Sequence, residues 1–121
     1  MASTLVVKCT WGADGPERAN QALTVASVAA ASGVAVSLWL TGEGSWFAVP
    51  GSPARDLALP EATPAGELLD TVLQLGSVTV CSQCAARRGL TEDALLPGVR
   101  IAGSAVFVEE SLADDARVLV Y

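Results

Sequence analysis

The chain has 121 residues, enough for one domain spanning 1–121 that buries roughly two-thirds of the surface its unfolded form exposes, so no disulfide or metal is needed to hold it together. Seven basic against thirteen acidic residues give a net charge of −6, which argues against a nucleic-acid partner, since such binding relies on Lys and Arg neutralising phosphates. There is no histidine, so Cys-His catalysis is excluded, and three cysteines are too few for an unstrained tetrahedral zinc site in one chain.

Residues 4–9 (TLVVKC) are apolar and β-branched, as expected of a short buried strand. The following WGADGP opens a helix, with Asp14 as cap, Pro16 in the first turn and Glu17 near the positive end. That helix runs through Ala22, Val25, Ala26 and Ala29 to Gly33, a natural left-handed C′ residue, and VAVSLWL (34–40) forms the second strand. From Ala19 to Gly42 there is no charge, a stretch long enough to cross a bilayer. Asn20, Gln21, Thr24, Ser27, Ser32 and Ser37 interrupt it, and no basic flank marks a cytoplasmic side, so a buried helix-turn-strand is expected and no membrane partner. MASTLVVKC lacks the charged region of a signal peptide, which implies a cytoplasmic, reducing location and disfavours a structural disulfide.

Residues 41–63 form an irregular loop with room for one short helix. TPAGELLDTVLQLG (63–76) is the clearest helix, with Thr63 as cap, Pro64 at the first position and an apolar face of Leu68, Leu69, Val72, Leu73 and Leu75 before Gly76. SVTVC (77–81) is the third strand, and a short helix follows from Ser82 to Arg88, stopping at Gly89. Another short helix opens at Thr91. Strands at 99–103 and 116–121 flank a helix within SAVFVEESLAD. This alternation predicts an α/β fold: a five-stranded, mostly parallel sheet with helices on both faces. The mean hydropathy of +0.46 implies either that such a sheet is buried on both sides or that an apolar surface meets another subunit.

In such sheets ligands gather at the carboxyl ends of the strands, where the strand order reverses. A strand order of 2-1-3-4-5 brings Cys9 and Cys81 to one rim, with Cys84 one helical turn beyond Cys81. Cys81 falls at a strand-to-helix junction, where free N–H groups favour a thiolate, and Arg87 and Arg88 add positive charge nearby. Cysteines are also good small core residues, which is the better reading of Cys9. Cys81 and Cys84 are the candidate functional pair. GADGPE has neither the GxGxxG spacing nor a P-loop lysine and reads as a helix cap, so no cofactor is expected. Trp11, Trp46 and Phe47 either line the rim, cover a subunit contact or pack in the core, and Asp114 and Asp115 mark a solvated turn.

WGADGPERANQAL after the first strand, the stretch from VCSQCAARRG to the final Tyr121, and the element order between them resemble the DsrE/DsrF-like proteins, which include sulfur-relay subunits. The resemblance is most specific from Val80 to Gly89 and from Leu96 to Tyr121, and weakest over 41–63. It implies a flavodoxin-like three-layer sandwich assembling as a homo-trimer or homo-hexamer, in which a cysteine ending the third strand carries sulfur as a persulfide between donor and acceptor proteins. On the ARRG match that cysteine is Cys81. Cys84 departs from the pattern, because a second thiol within reach can resolve a persulfide into a disulfide and release sulfide. Three readings follow: sulfur transfer through Cys81, thiol-disulfide redox chemistry through Cys81 and Cys84, and an oligomeric structural domain with inert thiols. The C-x-x-C spacing favours the second, but the preceding Trp and the cis-proline loop of a thioredoxin are missing.

Overall fold

A computed structural model describes residues 3–121. Five parallel strands, β1 (Thr4–Cys9), β2 (Ala35–Leu40), β3 (Ser77–Cys81), β4 (Arg100–Ala102) and β5 (Ala116–Val120), form one sheet in the order β4-β3-β2-β1-β5. Helix α1 (Pro16–Ala31) joins β1 to β2, α2 (Ala65–Leu75) joins β2 to β3, α3 (Ser82–Arg87) follows β3, and α4 (Ser104–Ser111) joins β4 to β5. The all-parallel sheet with helices on both sides is the flavodoxin-like α/β arrangement expected from the alternating pattern.

The sheet has two unlike faces because successive side chains along a strand alternate. One face presents Val7, Cys9, Val36, Leu38, Leu40, Val78 and Val80 to α1 and α2, which together form the main core. Helix α1 buries a stripe of small residues, Ala19, Ala22, Ala26, Ser27 and Ala30, with Leu23 as its one large anchor. Small side chains let that helix approach the sheet closely. Helix α2 buries Leu69 and Val72, each worth about 1.5–3 kcal/mol when fully removed from water.

Only α4 lies on the opposite face. Phe107 meets Trp39 edge-on, with ring centroids 5.3 Å apart, and the Lys8 ammonium sits 4.5 Å from the Phe107 centroid. The Glu110 carboxylate accepts hydrogen bonds from Ser37 Oγ at 2.6 Å, from Trp39 Nε1 at 3.2 Å and from the Arg100 guanidinium. Eight residues of helix cannot cover five strands. Val118 and Val120, paired with Val6 and Lys8, stay 37% and 61% exposed.

The observed strand order corrects the expected 2-1-3-4-5. Strand β2 lies between β1 and β3, and the order reverses between β1 and β5. The connections from β1 through β4 all step in one direction, and only the link through α4 crosses back. Right-handed crossovers in opposite directions put their helices on opposite faces, which is why α4 stands apart from α1 and α2.

Local corrections are smaller. Gly15, not Asp14, is the N-cap of α1, while Asp14 Oδ1 accepts the Gly12 N–H at 2.9 Å. Pro64 rather than Thr63 caps α2. The 41–63 loop holds two 3-10 turns, Gly42–Ala48 and Pro53–Arg55. The first folds back over the strand ends and carries Phe47 fully into the core, so Phe47 is no surface residue; Trp46 is half-buried, its Nε1 donating to Glu43 at 3.3 Å. The uncharged stretch from Ala19 resolves into α1, a turn at Ser32 and Gly33 (φ +87°), and β2. Among the described residues no helix is long and apolar enough to cross a membrane.

Candidate functional site

Strand β3 directs Val78 and Val80 into the α1–α2 core, so alternation places Thr79 and Cys81 on the α4 face. Cys81 is both the last residue of β3, paired with Ala102, and the N-cap of α3. Its extended backbone (φ −59°, ψ 130°) turns the chain into the helix. Cys84 is the third residue of α3, and an N-cap and third helical residue lie on one face of a helix.

Burial of the Cys81 sulfur opposes ionisation. It is outweighed by the backbone N–H and the thiol of Cys84, the N–H of Gln83 and the charge of Lys8, so that the thiol titrates below its ordinary value. None of these groups closes to a short capping hydrogen bond. The half-buried Cys81 is thus reachable and thiolate-prone.

Cys84 is only 8% exposed. Its sulfur accepts the Gly42 N–H at 3.2 Å, and Gly42 holds a left-handed φ of +55° that a side chain would strain. Arg88 ties the same two segments together: its guanidinium bonds the Cys84 carbonyl at 3.2 Å and pairs with Glu43 at 2.8 Å. Arg88 is therefore engaged away from the Cys81 sulfur, and Arg87 is exposed. The cation that acts on Cys81 is Lys8, which the sequence reasoning missed. The signal was present: Lys8 is the only lysine, one position out of phase with the inward-facing Val7 and Cys9.

Cys9 does not join this group. It is fully buried on the opposite face, its Sγ donates to the Trp11 carbonyl at 3.1 Å, and burial pushes its pKa up to about 11. One strand, β2, separates its position from that of Cys81, so the two sulfurs share a rim but do not converge. All three cysteines are free, and no three His, Cys, Asp or Glu side chains gather around a metal-sized space among the described residues.

The fold and the N-capping Cys81 after the third strand define a small α/β protein with a half-buried thiol at the strand ends. The chain belongs to the DsrE/DsrF-like family, whose profile matches residues 5–121. It is 34% identical over 101 residues to the uncharacterized protein MJ0989 of Methanocaldococcus jannaschii, covering 80% of this chain and 84% of that one. Among solved structures it is similar to the ychN protein from E. coli, with a TM-score of 0.77 at 20% identity and both chains fully covered. It is also similar to MTH1491 from Methanobacterium thermoautotrophicum, with a TM-score of 0.66 at 12% identity, again over both whole chains. At such identities the likeness to the two structures is one of fold.

Proposed function

We propose that the protein is a cytoplasmic sulfur carrier that accepts sulfane sulfur on Cys81 and hands it to an acceptor protein. The observation that carries this reading is the half-exposed Cys81 thiol, faced by two backbone N–H groups, the Cys84 thiol and the Lys8 charge. A Cys81 thiolate attacks the terminal sulfur of a donor persulfide; the donor's S–S bond breaks and the donor leaves as thiolate, so no external oxidant is needed. The acceptor thiolate takes the sulfur from Cys81 by the same exchange in reverse. Family membership supports this chemistry, and the net charge of −6 supports protein rather than nucleic-acid partners. The open apolar residues of α4 and β5 support assembly as a homo-trimer or homo-hexamer.

A second reading, thiol-disulfide redox chemistry, is favoured by one observation: Cys84 is the third residue of the helix that Cys81 caps, which puts both thiols on one helix face. The test is exposure of the folded protein to a cysteine desulfurase and free cysteine, followed by intact mass. Wild type should gain sulfur at the earliest times and Cys81→Ser should gain none at any time; equal labelling of the two throughout would refute the carrier reading.

A further inference from the structure

We infer that Cys84 makes the site a dithiol-dependent persulfide reductase, in which sulfane sulfur and reductant both enter at Cys81 while Cys84 acts only from the interior. This deepens the persulfide reading of Cys81 and rests on it.

The geometry has three parts. Cys81 and Cys84 occupy the N-cap and third positions of α3, a spacing that leaves their β-carbons about 5–6 Å apart, so that a shift of about 1–2 Å in the first turn of this short helix brings them to disulfide distance. The Cys84 thiol is among the groups that hold the Cys81 thiol below its ordinary value, an influence that acts only between neighbours. Cys84 is sealed from solvent, with Gly42 N–H on its sulfur and Arg88 clamping α3 to the Gly42–Ala48 turn. A thiol so placed is closed to bulky external partners and open to its neighbour.

The chemistry balances without an added oxidant. When Cys81 bears a persulfide anion, the Cys84 sulfur attacks the inner sulfur of Cys81. The bond to the outer sulfur breaks and takes its electron pair, and the Cys84 proton passes to the departing hydrosulfide. Two thiol sulfurs are oxidised to a disulfide while one sulfane sulfur is reduced to sulfide. Reset requires a dithiol reductant, which can reach only the Cys81 side of the disulfide. Its first thiolate bonds to Cys81 and expels Cys84 as thiolate, back toward the Gly42 N–H. Its second thiol then closes the reductant's own disulfide and frees Cys81.

The test loads wild type with glutathione persulfide, removes the excess by rapid desalting, and follows sulfide release and intact mass without reductant. Wild type should release one equivalent of sulfide and end two hydrogens lighter than the reduced chain. Cys84→Ser and Cys84→Ala, both checked for native circular dichroism, should keep the added sulfur at least about tenfold longer. Glutathione added to the oxidised wild type should appear as a mixed disulfide on Cys81. A wild-type adduct as durable as that of Cys84→Ser, or a mixed disulfide on Cys84, would overturn the inference while leaving sulfur carriage by Cys81 intact. Failure of both wild type and Cys84→Ser to take up sulfur would instead remove the carrier reading beneath it.

Discussion

Two thiols of one chain are shifted in opposite directions, and burial alone does not separate them. Burial is the largest influence on both Cys9 and Cys81, but at Cys81 the opposing donors and Lys8 prevail. Cys81 should therefore be alkylated first, with a midpoint below the ordinary thiol value. Lys8→Met should move that midpoint up and Lys8→Arg should restore it, as read by mass spectrometry of iodoacetamide-treated protein across pH. Cys9 carries the reverse sign. Its folded pKa of about 11 lies above the ordinary value of 9.0, so the fold keeps a neutral thiol where the unfolded chain ionises. The stability this contributes is complete below pH 9 and lost as pH rises toward 11. Cys9→Ala should cost about 1–2 kcal/mol at neutral pH from the lost packing, and its stability should fall less between pH 9 and 11. Urea unfolding of both chains over that range measures it.

At the scale of elements, α4 is pinned by one carboxylate. Burial works against the Glu110 charge, but hydrogen bonds from Ser37, Arg100 and Trp39 and the Arg100 charge outweigh it, holding its pKa below the usual value. A lowered carboxylate contributes stability that is present above the unfolded pKa of about 4.3 and is lost as pH falls through the folded value. Glu110→Gln should destabilise the protein by about 1–2 kcal/mol at pH 7, and the gap to wild type should narrow by pH 3. Chemical denaturation at the two pH values decides it. The Glu110 network was not legible in the sequence, because Ser37, Trp39 and Arg100 meet it only through strand pairing and the α4 crossover. Helices α1 and α2 were legible because apolar periodicity and Gly33 or Gly76 mark them locally. Their N-caps came out one residue off, since Asp14 and Thr63 carry the right chemistry for a cap but the chain turns one residue later.

For the whole molecule, periodicity revealed the layers but not the strand order. Each strand's pattern says which residues face inward and nothing about its neighbour, so the placement of β2 between β1 and β3 had to come from the fold. The Cys81–Cys84 pair was legible because three residues of spacing fix it locally, whereas Lys8 reaches the site from a strand two places away. The molecule also leaves Val108 and Leu112 of the α4 region and Val118 and Val120 of β5 open to solvent. Residues of this kind on an incompletely covered sheet face fit burial against further copies of the chain. Light scattering at micromolar concentration should give three or six times the 12.3 kDa chain mass, and Leu112→Lys with Val120→Lys should shift it to the monomer. A wild-type species of 12.3 kDa alone would contradict the assembly.

The central claim is that Cys81 receives sulfane sulfur, and single-thiol chains test it most directly. In Cys9→Ala/Cys84→Ser, Cys81 is the one remaining cysteine; in Cys9→Ala/Cys81→Ser, it is Cys84. Both are charged by a cysteine desulfurase with cysteine and weighed intact under native conditions. The account predicts one added sulfur atom on the chain retaining Cys81 and none on the chain retaining Cys84. Sulfur on the Cys84 chain, with the Cys81 chain left unchanged, would contradict it.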